Sequence, residues 1–74
     1  MARLRFDIYG LFILELIQEQ GTWHAWRSEN GKRRRMENCV IPDDIRTEDM
    51  ATYLDDLLHE YARPGTQISQ IDSD

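Results

Sequence analysis

The residues best equipped for chemistry are a run of four cations, Lys32-Arg33-Arg34-Arg35, with Trp26 shortly upstream. Guanidinium groups beside an indole can hold phosphates while the ring stacks on a base, the usual grip on single-stranded nucleic acid. The same two residue types are enriched at protein–protein hot spots. A third use needs no partner, with Arg35 lying on Trp26 as a cross-strand cation–π pair. Other chemistry is thinner. His24, His59 and Cys39 fall at no metal-ligand spacing. Asp55, Asp56 and Glu60 share one helical segment, where adjacent positions point in different directions, so they read as a solvated face. The chain has no phosphate-cradling glycine loop and no nucleophile motif. It is expected to be no enzyme and to need no cofactor or metal.

The element that positions the cationic run is a hairpin. Asn30-Gly31 lies between two extended runs, Thr22 to Ser28 and Arg33 to Ile41, and a type I′ turn needs positive φ at both central residues. With those two residues as the loop, Glu29 faces Lys32, Arg27 faces Arg34, Trp26 faces Arg35, Ala25 faces Met36, His24 faces Glu37 and Trp23 faces Asn38. One face then holds Trp23, Ala25, Met36 and Val40, and should pack on a helix. The other holds His24, Trp26, Arg33, Arg35, Glu37, Cys39 and Ile41. Trp26, Arg33 and Arg35, with Arg27 and Arg34 beside them, form the expected binding face. Arg27 opposite Arg34 sets like charges together, which calls for an acid nearby from Asp55, Asp56 or a partner.

Upstream, Leu4, Phe6, Ile8, Gly10, Phe12, Leu14 and Leu16 all fall on even positions, the period of a strand with one buried face. An unbroken strand over 3–18 would approach about 50 Å at ~3.3 Å per residue, too long for so small a domain. Gly10 therefore marks either a bend that keeps the phase or a hairpin through Tyr9-Gly10 that pairs Ile8 with Leu11 and changes it. Glu15, Gln18 and Glu19 have helical spacing, but the phase continues unbroken from Leu4, which favours strand over 11–20. Gln20-Gly21 reads as a turn. Tyr9, Leu11, Ile13 and Ile17 make the odd face apolar as well. One helix covers only one sheet face, so these four are the expected self-association surface.

Pro42-Asp43-Asp44 should end the fourth run, since proline cannot donate to a ladder. Thr47 is the expected N-cap, with Glu48 and Asp49 in the first helical turn. Met50, Leu54, Leu57, Leu58 and Tyr61 then recur at helical spacing, and the helix should reach Ala62 or Arg63 before Pro64-Gly65. Thr66 to Ile71 can add a short strand through Ile68. The sum is a small α+β fold: an antiparallel sheet of three or four strands with one C-terminal amphipathic helix, in one domain over 1–71, and a disordered tail over 72–74.

At 74 residues the chain lies near the lower limit for a self-sufficient core. A lone Cys39 excludes an internal disulfide and fits a reducing compartment. Arg3 and Arg5 precede an apolar stretch as in a signal peptide, but Asp7 and Glu15 interrupt it, and a cytoplasmic location is expected. No apolar run approaches the roughly 20 residues that span a bilayer. Residues 1–36 carry seven basic and four acidic side chains, and residues 37–74 carry two and ten, giving −5 overall. An acidic total opposes general nucleic-acid binding. The order of strands and helix resembles the layout of small bacterial antitoxin domains of the HicB type; no residue motif of that family accompanies it, so the resemblance implies no site. The expected role is a small self-associating (homodimeric) protein-interaction or regulatory module, with single-stranded nucleic-acid binding through Trp26, Arg33 and Arg35 as the alternative.

Overall fold

Three dipeptides ending in glycine fold the first half of the chain into a meander. The computed structural model describes residues 2–37 and 39–73. Its first four strands are β1 (Ala2–Ile8), β2 (Phe12–Glu19), β3 (Thr22–Glu29) and β4 (Lys32–Arg35). Tyr9-Gly10, Gln20-Gly21 and Asn30-Gly31 join them, with φ of 54° and 75°, 52° and 80°, and 54° and 77°. Positive φ at both central residues is the type I′ geometry, whose twist matches the flanking strands. The second and third hairpins are simple two-residue loops, with Glu19 opposite Thr22 and Glu29 opposite Lys32. The Asn30-Gly31 register is the expected one throughout β4.

The first hairpin combines the two readings of Gly10. The Leu11 N–H donates to the Ile8 carbonyl (2.9 Å), closing the turn, and the Gly10 N–H donates to the Asp7 carboxylate (3.2 Å). Yet Ile8 opposes Phe12, not Leu11. Leu11 is thus an extra residue in the connection. The chain reverses and the phase survives: Leu4, Phe6 and Ile8 stay on the same face as Leu16, Leu14 and Phe12. The segment over 11–20 is strand, as its unbroken alternation favours.

A single 3₁₀ turn (Thr47–Asp49), α1 (Met50–Leu57) and a second 3₁₀ turn (His59–Tyr61) carry the chain to β5 (Ile68–Ser73). The sheet order is β4-β3-β2-β1-β5, antiparallel throughout, so the helical segment links one edge to the other. Leu4, Phe6, Ile8, Phe12, Leu14, Leu16, Trp23 and Ala25 on one sheet face are buried together with Met50, Leu54 and Leu58. Fully burying side chains such as Phe6, Leu14 and Leu54 contributes about 1.5–3 kcal/mol each. No described helix is long and apolar enough to cross a membrane.

Five strands replace the three or four expected, because the first long apolar run is two strands and four of the five precede the helix. That also departs from the HicB-type layout. β4 stops at Arg35 rather than Ile41. Met36 still donates its N–H to the Ala25 carbonyl (2.9 Å), but Cys39 turns back to bond the Met36 carbonyl (3.1 Å) and the period of two lapses. Cys39 and Ile41 are consequently buried while Val40 is 70% exposed, the reverse of the expected alternation. Val40 is held instead through its carbonyl, which accepts from the Tyr53 hydroxyl (2.7 Å). Thr47 is no N-cap: the chain enters through the 3₁₀ turn, where Arg46 is the capping residue and gives no side-chain cap bond. β5 extends through Ser73, two residues into the stretch expected as a tail; Asp74 lies outside the described residues. The facing of Trp23 by Asn38 likewise lies outside them.

Candidate interaction surface

Because cross-strand partners point to the same side, the register alone defines what the second sheet face carries. Ile13 opposes Ser28, Glu15 opposes Trp26 and Ile17 opposes His24; Trp26 opposes Arg35 and Ser28 opposes Arg33. On the far side of β2, Arg3 opposes Ile17, Arg5 opposes Glu15 and Asp7 opposes Ile13. No helix lies over this face. Its side chains are half-buried by one another or exposed, and none belongs to the fully buried core.

Glu15 is the hub. Its carboxylate takes the Arg33 guanidinium from β4 at 2.5 Å and that of Arg3 from β1 at 3.9 Å, spanning four strands of the sheet. Arg33 and Arg35 both lie over the Trp26 ring, at 4.5 and 5.5 Å from its centroid, and Arg35 also donates to His24 Nδ1. A shallow recess of about 280 Å³ opens beside Glu15, lined by Arg3, Arg5, Ile13, Ser28 and Arg33. On β1 to β4 this face carries Arg3, Arg5, Arg33 and Arg35 against Asp7, Glu15 and Glu19, and Asp72 of β5 stands opposite Arg5. Aromatic area and guanidinium groups are the side-chain types enriched at protein contacts.

The structure divides the expected binding face. Trp26, Arg33 and Arg35 share the open side, whereas Arg27 and Arg34 project from the helix-covered side. There Arg27 stacks on Phe12 at 4.1 Å and pairs with Glu29 at 2.7 Å, while Phe12 meets Tyr61 edge to face. The acid that pairs with Arg27 is therefore Glu29, not Asp55 or Asp56, and Arg34 has no ion pair among the described residues. This side forms a cleft of about 560 Å³, lined by the Arg27–Glu29 pair, Asn30, Lys32, Arg34 and Arg35 with Met36 and Tyr61.

The expected self-association set is also divided. Ile13 and Ile17 lie on the open face beside Glu15, so two surfaces that looked separate in sequence are one. Leu11 is in the turn, 38% exposed. Tyr9 leaves the set altogether: it is 3% exposed, and its hydroxyl donates to the Asp55 carboxylate of α1. Burial first, then that hydrogen bond and the charges of Asp55 and Asp56, push its phenol up to about 12. A tyrosine at the turn is pulled into the core by a helical acid on which sequence spacing gives no purchase.

Glu15 was missed as a site residue, although a signal existed. Taking Gln20-Gly21 as a two-residue loop places Glu15 opposite Trp26. His24, His59 and Cys39 do not converge, and no metal-binding group of three acidic, His or Cys residues occurs among the described residues. Burial pushes the Cys39 thiol up to about 11.

Residues 3–72 match the model of a family described as a domain of unknown function (DUF7661), and the chain belongs to that family. No curated protein and no solved structure matches it.

Proposed function

We propose that this chain is a cytoplasmic protein-interaction module without catalytic activity, and that its uncovered sheet face pairs two copies of the chain. The observation that supports this is the alignment of Ile13 and Ile17 on β2 with Trp26, Arg33 and Arg35 on a face that α1 does not cover. β2 is the middle strand of five. A two-fold axis along it sets Ile13, Glu15 and Ile17 of both copies at the centre, each Glu15 matched by Arg33 of its own chain, and lays the β3–β4 side of each over the β1 side of the other. Trp26, with Arg33 and Arg35 already over its ring, then adds its remaining surface to the contact opposite β1.

Size sets the strength. Five strands about 4.8 Å apart and some seven residues long cover about 500 Å² per copy, or about 1,000 Å² in total, the lower limit for a specific interface. A face of that size falls in the class of weak, transient contacts. Sedimentation equilibrium from low micromolar to submillimolar protein tests this. Reversible dimerisation that Ile17→Glu abolishes, with the circular dichroism unchanged, is the expected result; a strict monomer throughout overturns it. Single-stranded nucleic acid is the competing occupant. It is disfavoured by the net charge of −5 and by the two guanidinium groups already over the indole. Strong quenching of Trp26 fluorescence by oligothymidylate at low salt would favour it instead.

A further inference from the structure

The edge of the sheet at β4 carries chemistry that the open face does not use. β4 is the outermost strand, and its four residues are Lys32, Arg33, Arg34 and Arg35, all exposed. The Met36 N–H bonds inward to the Ala25 carbonyl. Hydrogen-bonded and non-bonded pairs alternate in an antiparallel ladder, so Lys32 and Arg34 also point their backbone groups inward to β3. The N–H and C=O groups of Arg33 and Arg35 therefore point outward, along the free edge. Cationic side chains usually protect such an edge from aggregation. A second β4 laid against it would bring four cations opposite four, which excludes self-pairing here.

The geometry points to strand addition at β4 by an extended, Asp/Glu-rich segment of another protein, with the backbone groups of Arg33 and Arg35 as its hydrogen-bonding partners. Residues of the added strand opposite Arg33 and Arg35 lie on the open face beside those guanidinium groups. The residue between them enters the cleft of about 560 Å³, where Arg27 is already matched by Glu29 and where Lys32 and Arg34 lie over Met36 and Tyr61. On the open side Arg33 and Arg35 already serve Glu15, His24 and Trp26, so the cleft side, with Lys32 and Arg34, is where the carboxylates of the segment are favoured. Among the described residues neither Lys32 nor Arg34 carries an ion pair, which leaves both cations to be matched from outside. Main-chain bonds supply affinity and the alternating side chains supply selectivity, as in other strand-addition complexes. The main-chain edge and the cleft-side cations Lys32 and Arg34 take no part in the face assigned to pairing, so the two readings fail separately.

The test titrates the intact ¹⁵N-labelled chain with a capped decapeptide of alternating Val and Glu. Controls are the Val/Lys peptide, a Val/Glu peptide N-methylated at alternate residues, and an oligothymidylate decamer. The expected result is saturable binding of the Val/Glu peptide alone, with amide exchange at Arg33 and Arg35 slowed roughly tenfold or more. Arg34→Glu weakens that binding by about tenfold and leaves dimerisation intact, whereas Ile17→Glu removes dimerisation and leaves the peptide bound. Equal binding of the N-methylated peptide, or unchanged exchange at Arg33 and Arg35, overturns the proposal. Tighter binding of the oligothymidylate overturns it in favour of nucleic acid.

Discussion

Tyr9→Phe removes one oxygen from a side chain that ties the first turn to the helix, and its effect can be worked out in some detail. The ring stays, so the buried apolar contact of Tyr9 is kept and only its bond to Asp55 is lost. A hydrogen bond to a charged group contributes about 1.5–3 kcal/mol. Asp55 is exposed and rehydrates when abandoned, which places the loss at the low end, about 1–1.5 kcal/mol. In a domain of this size that lowers the Tm by about 5–10 °C. The pH dependence carries the sharper test. The Tyr9 phenol is raised from its ordinary 10.0 to about 12 in the folded chain, so the folded state resists ionisation that the unfolded chain allows. Stability from Tyr9 is fully present below pH 10 and is lost as pH climbs towards 12. Phenylalanine has no such term. Urea unfolding followed by tryptophan fluorescence at neutral pH and again between pH 10 and 12 should show the wild-type advantage shrinking and then reversing. Equal stability at neutral pH together with parallel curves at high pH would refute the Tyr9–Asp55 link.

Other outcomes follow from the same asymmetry of the sheet. Leu54→Ala empties a fully buried position and should cost about 2–5 kcal/mol, whereas Ile13→Ala on the half-buried open face should cost under about 1 kcal/mol; chemical denaturation of the two variants compares them. Gly31→Val should destabilise by about 1–2 kcal/mol through its φ of +77° alone, since a Cβ there meets no atom within 4 Å; the same assay reads it. The Cys39 thiol, 7% exposed and raised to about 11, should react with a thiol-exchange reagent at neutral pH only through unfolding, so its rate should rise with urea. Its contribution to stability is complete below about pH 9 and is lost as pH rises towards 11.

Much of the fold is written locally. The even-position alternation over 4–16 specified the buried face, and the three glycine dipeptides specified where the chain turns. Asn30-Gly31 carried the register of β4, although the expected binding face grouped Arg27 and Arg34 with Trp26 when that same register sets them on the other side. The fold's other features were set by neighbours remote in sequence. Leu11 slips out of the ladder as an extra residue because keeping Phe12 and Leu14 in the core outweighs a tight two-residue loop. Tyr9 turns inward because α1 brings Asp55 to it across 46 residues. After Met36 the burial of Cys39 and Ile41 follows the path of the chain beneath the helix, and no strand period predicts that. The hub at Glu15 lay between these cases, readable only by carrying the register through two hairpins at once.

The most direct measurement of the central claim, that one sheet face is sealed by the chain and the other is offered to a partner, is a dilution series of methyl spectra. As concentration rises, the signals of Ile13 and Ile17 should shift together along one binding curve, while Leu14 and Leu16 on the opposite face stay fixed. Shifts shared equally by both faces, or none at any concentration, would contradict it.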